Sequence, residues 1–262
     1  MQPIQIIATI GPATQEISTI QALIESGMSL ARLNFSWGTH PEHRRFIENV
    51  RAAGRATGVT IPIIQDLSGP RVQEGVSHTF NNDATVVTDK DIADVRAMAD
   101  LQPEYVALSF VKDAQDIAVL RAELIHAKSK SKIIAKIERP EALTHLDEII
   151  AAVDGVMIAR GDLGDAIPFE TLPFVKKDIL KRCNHAGVPA IVATDMLTSM
   201  IDSEHPSRAD VSDIAHAVLD GASGTMLSNE TAVGKNPVAA VTVMRKVVDE
   251  AKRHVGTQVA FF

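Results

Sequence analysis

The sequence predicts an α/β fold, a single (β/α)8 TIM barrel, and three observations carry that expectation. Eight short aliphatic runs alternate with helix-period segments from end to end of the 262-residue chain. The runs are mostly Ile, Val, Leu and Ala without period-2 alternation, as parallel strands buried on both faces require. No glycine-rich dinucleotide turn appears early, which favours the closed barrel over its alternative, a doubly wound open sheet. The length agrees, since such barrels commonly run to about 250 residues.

The first strand is expected over 5–10 and its helix over 16–26, ending at Gly27. The second strand, 30–35, leads to a helix over 41–57. There Thr39-His-Pro-Glu42 forms a capping box with proline near the first turn, and Gly58 supplies a left-handed stop. The third strand, 62–66, is followed by 72–87, which contains Asn81-Asn82-Asp83 and reads as an excursion or hairpin ahead of a helix over 91–98. Strands over 105–110 and 133–137 precede helices over 114–128 and 140–152. A strand over 155–159 precedes a helix over 174–186 that closes at Gly187. Strands over 190–193 and 225–227, with helices over 208–219 and 237–254, complete the eight units. The chain therefore reads as one barrel domain over 1–262, interrupted only by the short excursion at 72–87.

Composition narrows the function. Hydrophobic residues make up 45% and aromatics only 4%, so the core must be mostly aliphatic. The net charge of −7 argues against a nucleic-acid partner, which needs a clustered basic face, but leaves room for a locally positive site. One cysteine excludes an intramolecular disulfide and a Cys-rich zinc site. The N-terminus lacks a basic segment followed by an apolar run, and no apolar stretch approaches the roughly 18–20 residues of a membrane span. The expected setting is cytoplasmic, with no membrane partner.

Polar residues gather at the C-terminal ends of the strands, the face where such barrels place their active sites. The second strand ends Arg32-Leu-Asn34-Phe-Ser36, whose alternation aims Arg32, Asn34 and Ser36 to one side. The third ends in Asp66, the fifth in Lys136 and Glu138, and the sixth in Arg160-Gly161-Asp162. The seventh ends in Thr194-Asp195 and the eighth in Ser228-Asn229-Glu230. Any one such residue is explained as a satisfied rim group. So many at one end imply a ligand or metal that offsets their desolvation. If the fifth and sixth strands are neighbours, Glu138 and Asp162 can share a divalent cation beside Lys136, an arrangement suited to an oxyanion or a phosphoryl group.

These segments carry a resemblance. Thr9-Ile-Gly-Pro12, Ala31-Arg-Leu-Asn-Phe-Ser36, Gly38-Thr-His40, Gln65-Asp66, Ala135-Lys-Ile-Glu138, Asp154-Gly155 and Ala159-Arg-Gly-Asp-Leu-Gly164 are among its parts. Ala193-Thr194, Met196-Leu197, Ser207-Arg-Ala-Asp210 and Met226-Leu-Ser228 are the others. Together they resemble the catalytic barrel of pyruvate kinase over nearly the whole chain. The resemblance implies a barrel of the phosphoenolpyruvate/pyruvate-binding type and phosphoryl transfer from phosphoenolpyruvate to ADP. It implies Mg2+ or Mn2+ on Glu138 and Asp162, with the substrate carboxylate on the amides of Gly161 and Asp162. Lys136 would stabilise the phosphoryl group, Arg32 would contact phosphate, and Thr194 would stand near the carbon that gains a proton. Asn34, Ser36 and Asp66 match positions that hold a monovalent cation. A homo-oligomer is also expected.

The chain departs from the family pattern in ways that bear on function. Only 72–87 fills the place of a lid domain, and the C-terminal regulatory domain of the family has no counterpart here. Leu67-Ser-Gly-Pro-Arg71 replaces Thr-Lys-Gly-Pro-Glu, so Arg71 stands where a glutamate accompanies the monovalent cation and K+ is expected to be unnecessary. Gln73 replaces an arginine, Asp195 a glutamine and Asn229 a glycine. Two other function classes therefore stay open: a metal-dependent pyruvate-enolate lyase, whether aldolase or decarboxylase, and a non-catalytic metabolite-binding protein. Asp195 reads either as a base or as an exposed helix N-cap. Cys183 reads as a buried small hydrophobe, His40 and His43 as capping and first-turn residues, and Asp147-Glu148 as a solvated helix face. Trp37 reads either as a stacking residue or as loop packing.

Overall fold

The computed structural model describes residues 3–74, 77–80 and 85–255. Its strands are β1 (Gln5–Thr9), β2 (Leu30–Asn34), β3 (Ile63–Asp66), β4 (Arg71–Glu74), β5 (Ser77–Phe80), β6 (Tyr105–Leu108), β7 (Lys132–Ile137), β8 (Gly155–Ala159), β9 (Ala190–Ala193) and β10 (Gly224–Leu227). The helices are α1 (Ile17–Glu25), α2 (His40–Thr57), α3 (Asp89–Met98), α4 (Ala114–His126), α5 (Pro140–Thr144), α6 (Leu146–Ala152), α7 (Arg160–Ala166), α8 (Leu172–Ala186), α9 (Arg208–Leu219), α10 (Asn229–Ala232) and α11 (Pro237–His254). Eight strands close in the order β1-β10-β9-β8-β7-β6-β3-β2, and every pairing in that ring is parallel. The expected barrel is the observed one.

The departures are local. The helix expected over 140–152 is two pieces, because His145 leaves helical geometry at φ −104°, ψ 16°. The short α10, set directly on a strand end, was not expected, whereas α7 supplies the helix start that the resemblance implies at Gly161 and Asp162. In the 72–87 excursion, β4 and β5 pair antiparallel, Arg71 opposite Phe80, while Asn81, Asn82 and Asp83 lie outside the described residues. Helix signals held where they rest on backbone chemistry. Glu42 accepts from the Thr39 amide at 2.8 Å, and Gly58 and Gly187 take left-handed φ of 72° and 71° at the ends of α2 and α8. Along α2, Phe46, Ile47, Val50, Ala53 and Gly54 form one buried face, the spacing of an amphipathic helix packed on a barrel.

Two apolar layers result. Outward-facing strand residues meet the helices in the main core, which includes Ile6, Leu33, Ile63, Ile133, Ile158 and Val192. Inward-facing residues form a separate plug: Ile7, Ile64, Ala107, Ile134, Met157, Ala193 and Met226, flanked by Leu30, Tyr105 and Ile191. Because side chains alternate along a strand, the next inward position toward the C-terminal face lies two residues on. That step leads to Thr9, Arg32, Asp66, Ser109, Lys136 and Ala159. The polar site is the layer resting on the plug.

Replacing Ile64, fully buried in the plug, by alanine should cost about 2–5 kcal/mol through lost contacts and the residual cavity. Urea unfolding should show a lower midpoint with an unchanged slope.

Candidate active site

Charged groups sit on the plug in a connected set. The Arg32 guanidinium donates to Asp66 through Nε at 2.8 Å, with Nη2 at 2.7 Å, and Nη1 reaches the Thr9 hydroxyl at 3.3 Å. The Lys136 ammonium lies 3.2 Å from Asp66 Oδ1, 2.9 Å from Glu138 Oε1 and 2.7 Å from the Ser109 hydroxyl. All four charged side chains are buried. Ser109 is held by donating to the Leu67 carbonyl at 2.7 Å. Glu138 is held by the Phe110 amide at 2.7 Å, from a backbone position with φ 58°. Gly69, at φ 62°, lets the loop after β3 pass against Ser109 and Phe110, where a Cβ would come within 3.1 Å of both.

Burial and charge pull the ionisations in different directions. Burial alone would raise the Asp66 carboxyl, but Lys136 and Arg32 outweigh it and hold the group below the usual carboxylate range. Burial alone would lower the Lys136 ammonium, yet Asp66 and Glu138 carry it above the ordinary lysine value. Glu138 stands above the usual range because burial dominates and the Asp162 charge adds to it, while Lys136 only partly compensates. Arg32, Asp66, Lys136 and Glu138 together are formally neutral.

The other expected residues are placed as follows. Asp162, in the first turn of α7, lies 3.6 Å from Arg71, whose guanidinium also stands 5.9 Å from the centre of the Phe110 ring. Arg71 thus faces Asp162, and Arg32 and Lys136 are the cations on Asp66. The Gly161 amide donates to the Thr194 hydroxyl at 2.8 Å. The Asn34 side-chain Oδ1 accepts from the Ser36 amide at 3.1 Å. Asp195 is exposed in a left-handed turn at φ 54°, so the helix N-cap reading is corrected: no α-helix begins there. His40 bonds Asp94 at 2.7 Å, whereas His43 stacks on Phe35 and faces the Trp37 carbonyl, so the two rings serve different partners. Trp37 itself is half exposed. Cys183 is buried, and burial pushes its thiol up to about 12, which suits a core residue.

Thr9, Ser109 and Phe110 belong to the cluster although no site role was expected of them. The signal was present: Thr9 and Ser109 lie two residues beyond the inward-facing Ile7 and Ala107. Phe110 contributes through its amide, which side-chain chemistry does not announce.

No group of three or more His, Cys, Asp or Glu able to hold a metal occurs among the described residues. A divalent ion would therefore rest on Glu138 and Asp162 together with ligand oxygens. The donor set fits. Glu138 Oε1 is a buried oxygen paired with the Lys136 ammonium at 2.9 Å, and the neighbouring negative charge of Asp162 leaves the two carboxylates in need of a further cation. Carboxylate oxygens also suit hard ions such as Mg2+.

Fold and site together define an α/β barrel with a buried, ion-paired cluster at its C-terminal face. Comparison with known proteins gives the family. The profile for "Pyruvate kinase, barrel domain" matches residues 1–87 and 76–241. The pyruvate kinases of Mycobacterium intracellulare and Geobacillus stearothermophilus are each 33% identical over 93% of this chain, covering 69% and 56% of their own lengths. That of Corynebacterium glutamicum is 34% identical, again over 93% of this chain and 68% of its own. The chain belongs to the pyruvate kinase family. The first of these alignments spans 325 residues, more than this chain contains, so that relative carries internal residues absent here.

Asp66→Asn should cost about 3–5 kcal/mol at neutral pH, because it leaves Arg32 buried without its carboxylate and Lys136 with Glu138 alone. The folded Asp66 pKa lies below its unfolded value, so its contribution is present above the unfolded pKa and fades as pH falls through the folded one. Urea unfolding across the acid range should show the gap between wild type and variant closing in that window.

Proposed function

We propose that this chain is a compact phosphoenolpyruvate/pyruvate-binding enzyme that transfers a phosphoryl group between phosphoenolpyruvate and ADP through an enolate. The observation that carries the reading is the buried Arg32–Asp66–Lys136–Glu138 cluster beside Asp162, in a chain of this family. Arg32 and Lys136 would hold the phosphoryl oxygens and neutralise charge in flight, which is most of what phosphoryl transfer asks of a protein. The amides of Gly161 and Asp162, in the first turn of α7, would receive the carboxylate, with the former releasing the Thr194 hydroxyl. Thr194 would then face the carbon that gains a proton. A Mg2+ or Mn2+ ion on Glu138 and Asp162 would supply Lewis-acid stabilisation of the enolate oxygen. A cytoplasmic setting is part of this reading; among the described residues no helix is long and apolar enough to cross a membrane. Exposed Phe169 and Phe174, close together ahead of and within the first turn of α8, support a homo-oligomer.

We further propose that 72–87 stands in place of the family's lid domain. The two profile matches meet in that stretch, overlapping over 76–87, which supports a junction there. A lid excludes water from the transfer, so its replacement favours a second reading in which the same enolate serves a lyase step.

The test measures ATP formation from phosphoenolpyruvate, ADP and Mg2+ beside exchange of the pyruvate C3 protons in deuterated water. Both activities are expected, and Lys136→Ala should lower ATP formation at least about a hundredfold. Exchange without ATP formation would establish the enolate enzyme, and absence of both a binding role.

No K+ requirement is expected. Asp66 is already balanced by Arg32 and Lys136, and Arg71 adds a positive charge on the Asp162 side. Initial rates with K+ or a tetraalkylammonium salt should agree within about twofold. Strong activation by K+ would refute this.

A further inference from the structure

Within Arg160-Gly161-Asp162, the arginine is the member to which the proposed reaction gives no task, yet its side chain is fully engaged. Nε donates to the Ala193 carbonyl at 3.2 Å, and Nη2 donates to the Thr194 carbonyl and reaches Met196 Sδ at 3.0 Å. Nη1 donates to the Asp213 carboxylate on α9. The gripped carbonyls belong to the two peptide planes flanking the Thr194 Cα. Rotation between those planes is what φ and ψ of Thr194 describe, so one rigid fork fixes both.

The backbone it fixes is unusual. Thr194 and Asp195 follow one another at φ 64° and 54°, a left-handed region that a β-branched residue rarely enters without external restraint. The restraint has a result: the Thr194 hydroxyl receives the Gly161 amide at 2.8 Å while donating to the Ala193 carbonyl at 2.6 Å. The residue that holds the turn is covalently joined to the residue whose amide the turn receives.

We infer that Arg160 is a positioning residue: its guanidinium clamps the left-handed Thr194–Asp195 turn and thereby sets the Thr194 hydroxyl against Gly161, with Asp213 orienting the clamp from α9. The importance of this for turnover rests on the phosphoenolpyruvate/pyruvate reading above; the clamp itself does not. Lysine keeps the charge but has no fork, so it cannot hold two carbonyls and a carboxylate at once.

The experiment uses the full chain with Arg160→Lys and Asp213→Asn, following amide hydrogen exchange by NMR, thermal unfolding, and pyruvate C3 proton exchange. In Arg160→Lys the Gly161 amide should exchange at least about tenfold faster, with protection elsewhere and the unfolding midpoint nearly unchanged. Asp213→Asn should produce a smaller change of the same pattern. The proton-exchange kcat should fall about tenfold or more while phosphoenolpyruvate affinity changes less than about threefold. In a Thr194→Val background, Arg160→Lys should add little further loss, because the two residues act as one unit. Unchanged Gly161 exchange would overturn the inference, as would additive losses or a general loss of protection with a collapsed midpoint. If wild type neither binds phosphoenolpyruvate nor exchanges pyruvate protons, the functional reading fails, and the Gly161 amide still decides the clamp.

Discussion

The Asp66 carboxylate between Arg32 and Lys136 is the interaction on which the rest of the site depends. Two cations held on a nonpolar plug would repel one another, and neither could be buried alone at acceptable cost. Asp66 joins them, and Glu138 adds the fourth charge that makes the set neutral. The charged groups are therefore preassembled inside the protein, and their mutual distances are set by the barrel strands that carry them.

Neutrality has a functional side. A multiply charged anion entering this cluster alone would leave it with excess negative charge, and a divalent cation entering alone would do the reverse. The two together keep the site balanced. Glu138, raised first by burial and further by the neighbouring Asp162 charge, shows the same demand for a cation. Arg71 meets part of the demand from the start of β4, where it reaches Asp162.

The barrel and much of this cluster could be read from the sequence because both follow from period. Strand ends were found within a residue or two, and the alternation that places Ile134 in the plug also places Lys136 above it. Thr9 and Ser109 were accessible to the same argument. Phe110 was not, since it acts through its amide in a left-handed conformation that an aromatic residue does not advertise. Asp195 failed for a related reason: its turn is imposed from another strand end, and local propensity favoured a cap. Arg71 depended on a side-chain direction at the start of the β4–β5 hairpin, which lies outside the barrel and its period.

The plug has a consequence for traffic. Ile7, Ile64, Ile134, Met157 and Met226 fill the barrel beneath the charged layer and leave no polar route through its axis. Anything charged must enter and leave by the same mouth. A group resting on Arg32 and Lys136 lies at the closed end of a blind passage, so whatever binds nearer the opening would delay its departure. The order of arrival and release is thus constrained by an aliphatic floor that makes no contact with the chemistry.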